Sequence, residues 1–145
     1  MKKLIFVLFC CLIGMGAVMA NEPDYVISDG NVYFVESLRV SPWNGFSGKS
    51  EGERLRFKSS EVEGYSKDGV VYRRLPVIVD NKVTDRTALM QALAFRGGYI
   101  IYRYTSPSGL YNKEVQYFVF KDKDYVLTVD YSLSKQMAMY FSYGK

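Results

Sequence analysis

From residue 24 onward the chain runs in short stretches of alternating apolar and polar residues, broken by turn residues. A period of two marks strands with one face buried. The runs at 25–27 and 32–40 flank Ser28-Asp29-Gly30-Asn31. Asp-Gly between two such runs predicts a tight hairpin. Residues 41–52 are rich in Gly and Ser and read as a long loop, with room for a short strand through Phe46. Residues 53–58 alternate cleanly, with Leu55 and Phe57 on one face and Arg54, Arg56 and Lys58 on the other. Runs at 61–65 and 70–79 flank Lys67-Asp68-Gly69, a second predicted hairpin. Pro76 has no amide hydrogen, which places the second of these strands at an edge or interrupts it there. Both turns read Asp-Gly-x-Val-Tyr, but their flanks differ, so the likeness is shared turn chemistry rather than a repeat.

The pattern changes at 85–96. Ala88, Leu89, Ala92 and Leu93, with Met90 as a further candidate, form an apolar stripe at three- and four-residue spacing, Thr84 or Asp85 can cap the start, and Gly97-Gly98 can end the segment. These features predict a helix. Strands follow at 99–104, 114–120 and 125–130, and a last one is expected at 136–141. Short connections between them require antiparallel pairing. In the run at 114–120, Val115, Tyr117 and Val119 share one face while Phe118 and Phe120 share the other. Such a strand is central and covered on both sides, on one of them by the helix. The expected fold is mainly β, with antiparallel hairpins and a meander of about seven or eight strands and one helix at 85–96.

The first twenty residues stand apart. Lys2 and Lys3 precede an apolar stretch at 4–14, and Val18-Met19-Ala20 offers compact residues at the two positions a signal peptidase reads. This pattern predicts cleavage near Ala20, leaving one β-rich extracytoplasmic domain at 21–145, periplasmic or secreted. Uncleaved, the segment 4–20 is near the lower length limit of a membrane span and would act as an anchor. Cys10 and Cys11 both lie in it, and Phe9 is too bulky for the position before a lipidated cysteine. The expected mature chain therefore has no cysteine, and the whole chain has no histidine. The net charge of +4 falls to +2 without Lys2 and Lys3, too weak a balance to argue for nucleic acid. The 13 tyrosines follow the strand pattern and suit half-buried pleated surfaces.

This inventory narrows the chemistry. Without His or Cys, zinc and copper sites are left with oxygen ligands and methionines alone, and the common nucleophile–base pairs lose their usual members. Asp122 and Asp124 lack the glycine and late glutamate of a calcium loop. No metal and no cofactor is expected. Glu61 and Glu63 could share one strand face as paired acids, though a solvated face is the simpler reading. Ser132 and Lys135 fit Ser-x-x-Lys without its partner motifs, and a turn is expected there. Gly48-Lys49-Ser50 resembles the end of a phosphate loop, but the required first glycine falls at Trp43. No catalytic residue is assigned, and the protein is not expected to be an enzyme. Two features retain functional weight. Arg54, Arg56 and Lys58 form a ladder of charge able to hold a polyanion, or else pair with Glu61 and Glu63 across a neighbouring strand. Trp43 and Phe46 could stack on a sugar ring, or else anchor their loop to the core.

The Asp-Gly-x-Val-Tyr-Phe run and the stretch Glu61-Val62-Glu63-Gly64-Tyr65-Ser66-Lys67-Asp68-Gly69 resemble small exported proteins of unassigned function from Bacteroides-type bacteria. Gly98-Tyr99-Ile100-Ile101-Tyr102-Arg103-Tyr104 and Tyr117-Phe118-Val119-Phe120 extend the resemblance over most of 21–145. It implies an extracytoplasmic β-rich protein and supplies no catalytic residues. The functional expectation is a non-enzymatic module binding an envelope glycan, a lipid headgroup or a protein partner. It would bind no nucleic acid and meet the membrane only through an uncleaved signal. The alternatives are a structural subunit that pairs through edge strands, and a small carboxylate-dependent hydrolase.

Overall fold

A computed structural model describes residues 23–41, 44–106 and 114–143, the last six as backbone. The leader at 1–20 and Trp43 lie outside the described residues. The strands are β1 (Asp24–Ser28), β2 (Asn31–Ser41), β3 (Gly45–Ser50) and β4 (Glu53–Phe57). A single 3-10 turn at Ser59–Glu61 leads to β5 (Val62–Lys67), β6 (Val70–Val79), β7 (Lys82–Arg96) and β8 (Tyr99–Thr105). Then come β9 (Val115–Lys121), β10 (Asp124–Val129) and one helix, α1 (Tyr131–Tyr143). The ten strands form one sheet in the order β10-β9-β8-β7-β6-β5-β1-β2-β3-β4. The mainly β, antiparallel class is as expected. The strand count exceeds seven or eight because β3 occupies the expected loop and β7 occupies the expected helix.

Turn chemistry sets the strand ends. Asp29-Gly30, Glu51-Gly52, Asp68-Gly69, Asp80-Asn81 and Gly97-Gly98 have positive φ at both residues. Each is a two-residue link between consecutive strands. Positive φ at both positions is the turn whose twist matches that of the flanking strands.

The segment 85–96, expected to be a helix, instead forms all but the first three residues of β7. Ala88, Met90 and Ala92 sit two apart, and Met90 is fully buried in a cluster with Leu75, Ile78, Tyr102, Phe118 and Phe120. That period of two was masked by the three- and four-residue spacing of Ala88, Leu89, Ala92 and Leu93. Ala, Leu and Met favour helix, but helix propensity spans less than ~1 kcal/mol per residue, and strand pairing overrides it here. β7 pairs with β8 from Gln91↔Arg103 to Arg96↔Tyr99, with a register shift between Ala92 and Ala94. Gly97-Gly98, read as a helix stop, is the hairpin turn that joins them. The reading of Pro76 also changes. β6 runs through it without a break and stands between β5 and β7 in the strand order.

Among the described residues the one α-helix lies where a last strand was expected. Asp130 caps it, its Oδ1 accepting the Leu133 amide at 2.7 Å and its carbonyl accepting the Ser134 amide at 2.8 Å. Met137 packs from the helix onto Ile101, Val119 and Val129. Phe118 and Phe120 face the opposite cluster. β9 is thus buried on both faces, as its pattern requires, with α1 rather than a helix at 85–96 on the Val119 face.

The chain packs as two compact units, Met1–Tyr72 and Arg73–Lys145. The second holds the two clusters just described. In the first, Tyr25, Ile27 and Val32 cluster with Phe34. Phe46 lies 4.8 Å from Tyr65, and Tyr65 stacks on Tyr72 at 4.5 Å.

Two tests follow from these cores. Met90→Ala leaves a methionine-sized hole between paired strands and is expected to cost about 2–5 kcal/mol, read as a lower urea midpoint. A solvated helix at 85–96 would lose far less. Burial pushes the Tyr65 hydroxyl up to about 12, helped by the neighbouring Tyr72. Burial also pushes Tyr102 up to about 12, with Arg73 pulling it down and Asp122 pushing it up. Both groups ionise more easily unfolded, near the ordinary 10, than folded. Their stabilising effect is therefore complete below pH 10 and is lost as pH rises toward 12. Ultraviolet titration of tyrosinate should show late-ionising residues, with unfolding in that window.

Candidate ligand-binding face

The first unit carries a cationic surface on β2, β3 and β4. β3 and β4 pair with Ser47 opposite Arg56 and Lys49 opposite Arg54. β2 and β3 pair with Glu36 opposite Lys49 and Arg39 opposite Ser47. Two rows therefore cross the three strands, Glu36–Lys49–Arg54 and Arg39–Ser47–Arg56. Arg39, Lys49, Arg54 and Arg56 are exposed. Strands lie about 4.8 Å apart, so Arg39 and Arg56 are about 10 Å apart at their backbones. Like charges directly opposite one another are unfavourable on a sheet. Here Lys49 and Arg54 stand opposite, and the row supplies one carboxylate, Glu36.

A surface recess of ≈ 330 Å³ opens on this face, lined by Glu36, Ser37, Arg39, Ser47, Gly48, Lys49 and Arg54. A bulge in β2 shapes it. Residues three apart on a regular strand point to opposite faces. Glu36 and Arg39 are three apart, yet both line the recess, while Val35 and Leu38 are both buried beneath. The register shift between Glu36 and Arg39 reconciles the two, with Ser37 at a left-handed φ of 53°. One extra residue in a strand re-aims the side chains on either side of it. Asp24 holds the bulge in place. Its Oδ2 accepts the Leu38 amide at 3.1 Å, and its Oδ1 accepts the Asp68 amide at 3.0 Å. The floor is thin at Gly48, where an added Cβ would stand 2.8 Å from the Val35 side chain.

The expected site residues separate. Arg54 lines the recess, and Arg56 stands one step along the same face of β4. Lys58 lies past the end of β4, exposed, with the extended backbone of a residue leading into the 3-10 turn. Their alternation with Leu55 and Phe57 holds. Glu61 and Glu63 do not face them. Glu61 falls in the 3-10 turn, and Glu63 is on β5, which pairs with β1. Phe46 is 2 % exposed and packs on Tyr65, so it belongs to the core and is not a stacking platform. Its strand, β3, turns it to the face opposite Ser47 and Lys49. Trp43 lies outside the described residues. Arg39, Lys49 and Glu36 were missed, because only cross-strand register and the bulge bring them to Arg54.

Other candidate groups are dispersed. Ser132 and Lys135 lie exposed in the first turns of α1, where a turn was expected. Among the described residues, no group of three or more His, Cys, Asp or Glu side chains is placed to hold a metal. Among those residues, no helix is long and apolar enough to cross a membrane.

The Asp24 clamp can be tested directly. Asp24→Ala leaves the half-buried Leu38 amide without its acceptor, at an expected cost of about 1–3 kcal/mol. The readout is the urea midpoint, with faster amide exchange at Leu38 and Asp68 by nuclear magnetic resonance. Unchanged exchange at both would mean the carboxylate does not hold the bulge.

No protein-family model, curated protein or solved structure matches the chain.

Proposed function

We propose that the protein is an exported, non-enzymatic binding module whose β2–β4 face holds the anionic groups of a cell-envelope ligand. The observation that carries this reading is the cross-strand alignment of Lys49 with Arg54, beside Arg39 and Arg56, around one recess. An anionic ligand relieves the repulsion that this alignment builds in. The recess contains one carboxylate, Glu36. Hydrolysis of a glycosidic bond ordinarily needs two facing acids, so the arrangement favours binding over cleavage. The leader at 1–20 supports export through the residue pattern that a signal peptidase reads.

The test is retention on a dextran sulfate matrix at low salt. Lys49→Gln, Arg54→Gln and Arg56→Gln together should abolish retention while leaving the fold intact, because all three are exposed and exposed substitutions usually change stability by less than about 0.5 kcal/mol. A charge-matched control, with the exposed Lys82, Arg86 and Lys123 changed to Gln, should still be retained. Retention of the unaltered protein should weaken with salt, since exposed charges are screened over about 8 Å at physiological ionic strength. Equal loss in both triple variants would show that net charge alone is at work and would overturn the reading.

A further inference from the structure

Resting on that reading, we infer that the recess over β2–β4 takes one acidic sugar unit, a pyranose bearing a carboxylate, from a polyanionic glycan. The recess contains both halves of the hydrogen-bonding requirement such a unit imposes. Arg39, Lys49 and Arg54 can only donate. Glu36, ionised, can only accept. Ser37 and Ser47 do either. A ligand that satisfies all of them carries anionic oxygens and hydroxyl donors on one small frame. A phosphate diester or a sulfate supplies the first without the second, and Glu36 repels it. An acidic sugar supplies both, with its carboxylate toward Lys49 and Arg54 and a ring hydroxyl toward Glu36.

Size and lining agree with this. At ≈ 330 Å³ the recess is near the lower end of ligand pockets, which run from roughly 300 to 1,000 Å³, and suits one ring rather than a folded chain. Its lining has no aliphatic or aromatic side chain. Peptide grooves are ordinarily built around apolar pockets for anchoring side chains, so this lining suits a sugar better than a peptide. Arg56, one step along β4 from the recess, is placed to meet the acid of a neighbouring sugar unit.

The bulge that shapes the recess points the same way. It places a carboxylate and a guanidinium, three residues apart on one strand, at the same opening. It does so with a non-glycine residue, Ser37, at φ 53°. Left-handed backbone at a non-glycine residue costs free energy and clusters at binding sites, where the fold around it sustains the strain. A plain cationic patch needs no such device, because the regular alternation of β4 already provides one. Glu36 is therefore a specificity residue that selects hydroxyl-bearing anions over bare ones.

The decisive experiment compares three probes by calorimetry at low salt, using the unaltered protein and Glu36→Gln. The probes are trigalacturonate, inorganic polyphosphate and vesicles of phosphatidylglycerol. The unaltered protein should bind trigalacturonate most tightly, and methyl esterification, which removes the charges and keeps the hydroxyls, should abolish binding. Glu36→Gln should weaken trigalacturonate binding at least tenfold while leaving polyphosphate binding equal or tighter. Glu36 is exposed, so circular dichroism of the variant should match the unaltered protein. If Glu36→Gln strengthens binding to trigalacturonate and polyphosphate alike, Glu36 is only a repelling charge and the sugar inference falls. The inference also falls if polyphosphate or vesicles bind and trigalacturonate does not, although the broader anion-binding reading survives both outcomes. If the unaltered protein binds none of the three, both readings fall together.

Discussion

Register is the constraint on which this structure depends. Side chains alternate faces along a strand, so a slip of one residue would turn every buried group outward and every cation inward. The two-residue turns prevent that slip. Glu51-Gly52 fixes β3 against β4, setting Lys49 opposite Arg54 and Phe46 opposite Phe57. The same turn therefore places the cations on one face and the aromatic rings on the other. Among the departures from register, the one beside the recess is the bulge at Ser37, and Asp24 holds it from a neighbouring strand. Core and candidate site are two faces of the same pairing.

Much of this was legible in residue order, and the failures have definite causes. Asp29-Gly30 and Asp68-Gly69 announced their hairpins because few other structures use that dipeptide between alternating runs. Gly97-Gly98 was ambiguous, since two glycines serve a helix end as readily as a hairpin. Preceded by Ala88, Leu89, Ala92 and Leu93, they favoured the helix. What decides for the strand is the partner, β8, whose Ile100 to Arg103 pair with Phe95 to Gln91. Local propensity contains no information about a partner on the far side of a turn. The helix at Tyr131–Tyr143 was missed for the complementary reason. Met137 reads as a strand residue until the cluster of Ile101, Val119 and Val129 that it covers is known.

The candidate site shows the same division. Arg54 and Arg56 could be placed on one face from the alternation of β4 alone. Arg39 and Lys49 could not, because membership of the recess depends on pairing between three strands. Glu36 was harder still. A regular strand would have turned it away from Arg39, and a bulge at a serine leaves little trace in sequence. Phe46 follows the second of its two readings and anchors its segment to the core. Its Gly- and Ser-rich surroundings suggested an exposed loop, yet those small residues permit close packing, as where Gly48 meets Val35.

The strand order has a kinetic side. Most neighbours in the sheet are consecutive in the chain, and hairpins of that kind close in microseconds. The exception is β1, whose second partner is β5, with Val26 opposite Tyr65. While the chain emerges from the ribosome, amino terminus first, β2 reaches β1 almost at once and β5 only after three further strands. In that interval Tyr25, Val26 and Ile27, all buried at the end, lie along an open edge. An unpaired apolar edge is a template for pairing with another chain. The stage most open to pairing with another chain is thus the interval between the first strand and the fifth.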